Sequence, residues 1–114
     1  MLSPLALEHV QHPRNSGPLE SPTHVGTCGV RGDGPYVRIT MRIEGGRIKA
    51  AHYETYGCPS SIAASSLTAQ LAIGRTPEEA SRLTGEDLLI ILGGLPEGKE
   101  QCAQMAATAL RNAL

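Results

Sequence analysis

The clearest pattern in the chain is the alternation from Tyr36 to Ile43. Val37, Ile39, Met41 and Ile43 fall on one side, and Arg38, Thr40 and Arg42 on the other. A period of two over eight residues predicts a half-buried strand. Glu44-Gly45-Gly46 then predicts a hairpin turn, and residues 47–56 the return strand. After Gly57-Cys58-Pro59 the period lengthens. Residues 60–73 predict a helix stopped by Gly74, with Ile62, Leu67 and Leu71 as its apolar stripe and small Ala and Ser residues between them. Thr76-Pro77-Glu78-Glu79 has the form of a capping box opening a short helix. Thr84-Gly85-Glu86-Asp87 opens another that covers Leu88 to Leu92 and ends at Gly93-Gly94. A last helix is predicted over about 99–112, with Cys102, Met105, Ala106, Ala109 and Ala113 recurring at helical spacing.

Ahead of the strands, residues 3–11 predict a short helix in which Ser3 is the N-cap and Pro4 fits the first turn. The run His12-Pro13-Arg14-Asn15-Ser16-Gly17-Pro18 breaks it. From there to Gly34 the pattern predicts loop, including a mobile, glycine-rich segment at 26–34 that carries Cys28 and Asp33. The order of helix, strands, then helices implies an α+β fold, a small antiparallel sheet with helices packed on one face. No repeat or low-complexity tract interrupts it, and a length of 114 residues implies one domain over 1–114.

Composition narrows the function by exclusion. Ten basic and eleven acidic residues leave a net charge of −1, without the clustered Lys and Arg that nucleic acid requires. The aromatic residues are Tyr36, Tyr53 and Tyr56 only, so stacking platforms for single strands are also missing. No apolar run approaches the roughly 20 residues of a membrane span, and the N-terminus lacks a signal-peptide pattern. The expectation is a cytoplasmic protein that engages neither nucleic acid nor membrane. Its thiols would then stay reduced.

The candidate chemistry lies in three cysteines. An odd count leaves at least one free thiol in any disulfide scheme, so metal binding or sulfur chemistry is the stronger use. Cys28 sits in Thr-Cys-Gly, Cys58 in Gly-Cys-Pro just ahead of a predicted helix, and Cys102 in the first turn of the last one. A helix N-terminus lowers thiol pKa, and the thiolate is the form that binds soft metals or accepts sulfur. With Asp33 five residues after Cys28, the set suggests an iron–sulfur or zinc site with a carboxylate as the fourth ligand. Lys99, three residues before Cys102, would favour a thiolate or persulfide there. His9, His12, His24 and His52 show no ligand spacing and are assigned no role.

Three segments in order resemble the IscU/NifU N-terminal family of iron–sulfur cluster assembly scaffolds. They are His12-Pro13-Arg14-Asn15-Ser16-Gly17, then Thr55-Tyr56-Gly57-Cys58-Pro59-Ser60-Ser61-Ile62-Ala63-Ala64-Ser65-Ser66, and finally Leu95-Pro96-Glu97-Gly98-Lys99-Glu100-Gln101-Cys102. The resemblance implies a scaffold rather than an enzyme. Sulfur from a cysteine desulfurase and iron would be built into a labile [2Fe–2S] cluster and passed to apo iron–sulfur proteins. It further implies Cys28, Asp33, Cys58 and Cys102 as ligands and Cys102 as persulfide acceptor. The alternative is a zinc-binding, SufU-like sulfur acceptor. That branch carries an insertion between the central helix and the last Cys, and none stands between Gly74 and Cys102.

The chain departs from the family pattern in three places. The family reads Cys-Gly-Asp where this chain reads Cys28-Gly29-Val30-Arg31-Gly32-Asp33, so a short insertion is needed to keep both groups. Gln101 stands where the family has His. Leu95-Pro96-Glu97-Gly98-Lys99 replaces Leu-Pro-Pro-Val-Lys, which weakens the motif for a dedicated chaperone pair.

Overall fold

A computed structural model describes residues 2–114. The first helix, α1 (Pro4–Gln11), is capped by the Ser3 hydroxyl, which accepts from the Ala6 N–H. The Ser3 hydroxyl also donates to the Leu92 carbonyl, tying the start of α1 to the end of α4 (Gly85–Leu92). Three antiparallel strands follow in the spatial order of the chain: β1 (His24–Val30), β2 (Asp33–Glu44) and β3 (Arg47–Tyr56). α2 (Pro59–Ala72), α3 (Pro77–Ser81), α4 and α5 (Glu100–Ala113) complete the chain. Both predicted capping boxes form, at Thr76 with Glu79 and at Thr84 with Asp87.

The expected loop over residues 19–34 needs correction, because its second part is strand. β1 pairs with β2 from His24 opposite Met41 to Cys28 opposite Val37, and Asp33 already belongs to β2. The sequence His-Val-Gly-Thr-Cys-Gly-Val has Val25, Thr27 and Val30, but Gly26 and Gly29 interrupt the strand signal and no aromatic residue supports it. It becomes one because β2 offers a free edge and Gly26 lets α5 approach. A Cβ at Gly26 would lie 2.2 Å from the Ala113 nitrogen and 2.3 Å from the Ala109 oxygen, which is possible for no residue with a side chain.

Pairing across the sheet assigns the faces. Cys28, Val37 and Thr55 lie in one row, Gly26, Ile39 and Tyr53 in the next, and His24, Met41 and Ala51 in a third. These rows face the helices, and Val37, Ile39, Met41, Ala51 and Tyr53 are buried there with Ala109, Leu110 and Ala113 of α5. A bulge between Arg42 and Ile43 ends the alternation, so Ile43 is only half-buried. On the opposite face, the chain crosses from β3 to β1. Pro18 O lies 3.1 Å from His52 Nδ1, Glu20 O accepts from Arg42 Nη1 at 3.0 Å, and the Thr23 N–H donates to Met41 O at 2.9 Å. That crossing sits over the sheet where Thr40 is buried.

α2 differs from its predicted stripe. Leu67 is buried, but Ile62 and Leu71 are half-buried, and Ser60, Ser61, Ala63, Ala64, Ser65, Ser66, Thr68, Ala69 and Ala72 are inside. The helix is enclosed by β3, α1, α4 and α5, so small residues are required nearly all round. The His12–Gly17 segment anchors α1 to it. Ser66 Oγ accepts from the Arg14 N–H at 3.1 Å and lies 2.8 Å from Nδ1 of buried His9. Asn15 O accepts from the Tyr53 N–H and the Gly17 N–H donates to Tyr53 O, both at 2.9 Å, so the segment lies alongside β3.

Two predictions follow from this packing. Gly26→Ala drives a methyl into the backbone of α5 and should destabilise the fold by about 2 kcal/mol or more, read from urea unfolding. Burial first, then the Arg14 charge, holds His9 below its ordinary value, against a smaller opposing pull from Glu8. The unfolded chain therefore takes up the proton before the folded one. Stability from this site is full above about pH 6.5 and falls as pH drops below it. His9→Gln should flatten the acidic limb of the melting temperature against pH.

Candidate functional site

The strand-to-helix junction places Cys58. Tyr56 ends β3, Gly57 turns the chain, and Cys58 is the N-cap of α2 with Pro59 in its first turn. Gly57 leaves the Ser61 hydroxyl its place, since a Cβ there would stand 2.8 Å from Ser61 Oγ. Cys102 is reached differently. The break at Leu95–Gly98 releases the chain from α4, and Cys102 falls in the first turn of α5, facing α2. The two sulfurs lie 3.9 Å apart, although 44 residues separate them.

Ser61 sits between the sulfurs. Its hydroxyl donates to Cys102 Sγ at 3.4 Å and lies 4.0 Å from Cys58 Sγ. Sequence reasoning missed it. The available signal was its place three residues after Cys58, which returns a side chain to the same side of a first helical turn. Cys102 is 5% exposed, whereas Cys58 is half-buried. Ala63, Ala103 and Ala106 lie in the same cluster, so the pair is shielded on its inner side by apolar groups.

The two thiols differ electrostatically. Burial pushes the Cys58 thiol up, but the backbone N–H groups of Ser61 and Ser60 and hydrogen bonds from Cys102 and Ser61 outweigh it and bring it down to about 7. Burial also pushes Cys102 up. The Ser61 hydrogen bond opposes this, the Cys58 charge adds to it, and Lys99 pulls weakly downward. Lys99 thus acts in the expected direction without prevailing.

The other two expected ligands are not brought into contact with this pair. Cys28 lies on the helix-facing side of β1, in the row with Val37 and Thr55, and packs against the core beneath the sheet. It is at the end of the sheet where β3 runs out toward Cys58. Asp33 opens β2 beyond the Arg31-Gly32 turn and is exposed. Among the described residues no three His, Cys, Asp or Glu side chains are gathered as a metal-binding group. Beside the hairpin tip a cavity of about 400 Å³ is lined by Arg31, Tyr36, Glu54, Thr55 and Tyr56, and it includes neither Cys58 nor Cys102. Among the described residues no helix is long and apolar enough to cross a membrane.

Comparison with known proteins places these features in a family. The model described as "NifU-like N terminal domain" matches residues 2–114. The chain is 39% identical over 114 residues to "Iron-sulfur cluster assembly scaffold protein IscU 1" of Archaeoglobus fulgidus, covering all of this chain and 74% of that protein. It is 34% identical over 110 residues to the IscU scaffold protein of Aquifex aeolicus, covering 95% of this chain and 70% of that one. Among solved structures, a SUF-system scaffold protein from Fervidobacterium islandicum superposes with a TM-score of 0.76. It is 18% identical and covers 97% of this chain and 94% of that one, which is a likeness of fold.

Thiol alkylation checks the electrostatics. Cys58 should be carbamidomethylated by iodoacetamide with a midpoint near pH 7, thiolate being present above that value. Cys102 should react only at higher pH, the pair titrating in two joint steps. Peptide mapping of the labelled protein separates the two sites.

Proposed function

The chain belongs to the NifU-like N-terminal domain family, and from that premise we propose that it is an iron–sulfur cluster assembly scaffold. In this reading it is not an enzyme. It receives sulfur from a donor, a cysteine desulfurase, together with iron, holds a labile [2Fe–2S] cluster as cargo, and passes it to apo iron–sulfur proteins. The observation that carries the reading is the Cys58–Cys102 pair. Two thiolates on one tetrahedral metal at about 2.3 Å must lie about 3.8 Å apart, and these sulfurs stand at 3.9 Å. The donor set therefore fits a soft metal at that position before any rearrangement.

Cys28 and Asp33 complete the proposed ligand set by movement of the β1–β2 hairpin. Cys28 shares the face and the end of the sheet with the thiol pair, and the tip from Gly29 to Asp33 is exposed. Cys28 stands next to the tip on the face of the pair, and folding the tip toward α2 would bring the Asp33 carboxylate over the thiolates. A set closed only by such a movement, and including one oxygen ligand, holds its cargo less tightly than four fixed thiolates. That suits release to a recipient. The half-exposed setting of Cys58 leaves the site open to a docked donor or acceptor protein.

The same spacing suits two thiolates on zinc, which supports the zinc-binding, SufU-like sulfur acceptor as a second reading. Anaerobic incubation with ferrous iron and sulfide distinguishes them. A scaffold should develop the visible absorption of a [2Fe–2S] cluster, and Cys58→Ser and Cys102→Ser should each abolish it while leaving the far-ultraviolet circular dichroism unchanged. Colourless protein with one equivalent of tightly held zinc would overturn the scaffold reading in favour of the second.

A further inference from the structure

Cys58 and Cys102 are chemically matched but unequally reachable. Cys102 is 5% exposed and closed off by Ala103 and Ala106, whereas Cys58 is half-buried at the mouth of the junction. A sulfur donor arriving from solvent therefore meets Cys58 first. Ser61, 4% exposed, has its hydroxyl 3.4 Å from one sulfur and 4.0 Å from the other, with Gly57 leaving room for it. We propose that Cys58 and Cys102 form a two-thiol relay, in which sulfane sulfur enters at Cys58 and moves to Cys102, and that the Ser61 hydroxyl positions the receiving sulfur. The relay rests on the reading of this site as a sulfur acceptor, and it reassigns the entry point from Cys102 to Cys58.

Each step balances without an external oxidant or reductant. A donor persulfide is attacked at its terminal sulfur by the Cys58 thiolate. A Cys58–sulfur bond forms, the donor's sulfur–sulfur bond breaks, and the donor leaves as a thiolate. Cys102, as thiolate, then attacks the outer sulfur of the Cys58 persulfide, whose anchoring sulfur lies 3.9 Å from its own. The new bond forms on Cys102 and the old one breaks at Cys58, which departs with the electron pair. The proton given up by Cys102 ends on Cys58, and the Ser61 hydroxyl lies within reach of both sulfurs to carry it. The second step delivers the sulfur to the apolar side of the site, where water has least access.

The Ser61 hydroxyl matters for direction as well as for reach. Its hydrogen bond restrains the Cys102 side chain in the rotamer that faces Cys58. Without it only the packing of the surrounding alanines holds the sulfur there. Ser61 touches the reacting sulfurs only through hydrogen bonds, so it is a positioning residue.

The test uses the full chain, no iron, and cysteine persulfide as the sulfur donor. Samples are quenched with an alkylating reagent over time and the labelled peptides are mapped by mass spectrometry. The relay requires persulfide on Cys58 first and on Cys102 later. Cys58→Ser should slow loading of Cys102 about a hundredfold, because proximity is lost. Cys102→Ser should trap the sulfur on Cys58. Ser61→Ala should slow the onward step about fivefold, the size of one neutral hydrogen bond, and by more than it slows loading of Cys58. Ser61→Thr, which keeps the hydroxyl, should restore that step. Loading of Cys102 before Cys58, or at an unchanged rate in Cys58→Ser, overturns the relay. A protein that does so yet assembles a cluster keeps the scaffold reading. Persulfide on neither cysteine of the folded protein overturns the relay together with the sulfur-acceptor reading on which it stands.

Discussion

The seating of α5 is the contact on which the site depends. Its C-terminal half lies against β1 so closely that Gly26 has no room for a side chain beneath Ala109 and Ala113. Its N-terminal turn meets the start of α2, where Ser61 reaches Cys102. Because a helix is stiff, the first contact aims the second. A shift of α5 at Gly26 would be carried along the helix to Cys102, and the sulfur spacing would change with it. Close packing of alanines on α2 and α5 removes the slack that longer side chains would absorb.

Polar groups hold the surroundings of the pair in place. Ser66 takes the Arg14 N–H and engages His9, so the N-terminal helix and the segment after it are fastened to the flank of α2. Capping boxes at Thr76 and Thr84 set where the chain turns between α2 and α5. The thiols themselves gain their difference from position. Cys58 has the free N–H groups of a helix start, and Cys102 has mostly apolar neighbours. The same amino acid is thereby given a lowered thiol pKa at the opening and a raised one inside.

The hairpin bearing Cys28 and Asp33 has a different character. It is exposed at its tip, and its two candidate ligands are separated by a turn instead of adjoining. The family pattern of Cys-Gly-Asp is stretched here to Cys28-Gly29-Val30-Arg31-Gly32-Asp33. The structure accommodates the added residues by running β1 on to Val30 and turning at Arg31-Gly32.

Much of this was legible in the chain alone. The alternation at 36–43, the Gly45-Gly46 turn, both capping boxes and the last helix depend on local preferences, and local preferences are written in neighbouring residues. The family was legible from three motifs in order. β1 was not, since a strand interrupted by two glycines in seven residues exists only because β2 supplies its partner and α5 its cover. The burial of α2 on nearly every side was not either, because a run of Ala and Ser records what fits, without recording how many neighbours surround it. The separation of the four candidate ligands into a close pair and a hairpin that does not touch it, and the place of Ser61 between two sulfurs 44 residues apart along the chain, were decided by tertiary packing. Distances between remote segments depend on how helices and sheet seat against one another, and no local pattern encodes them.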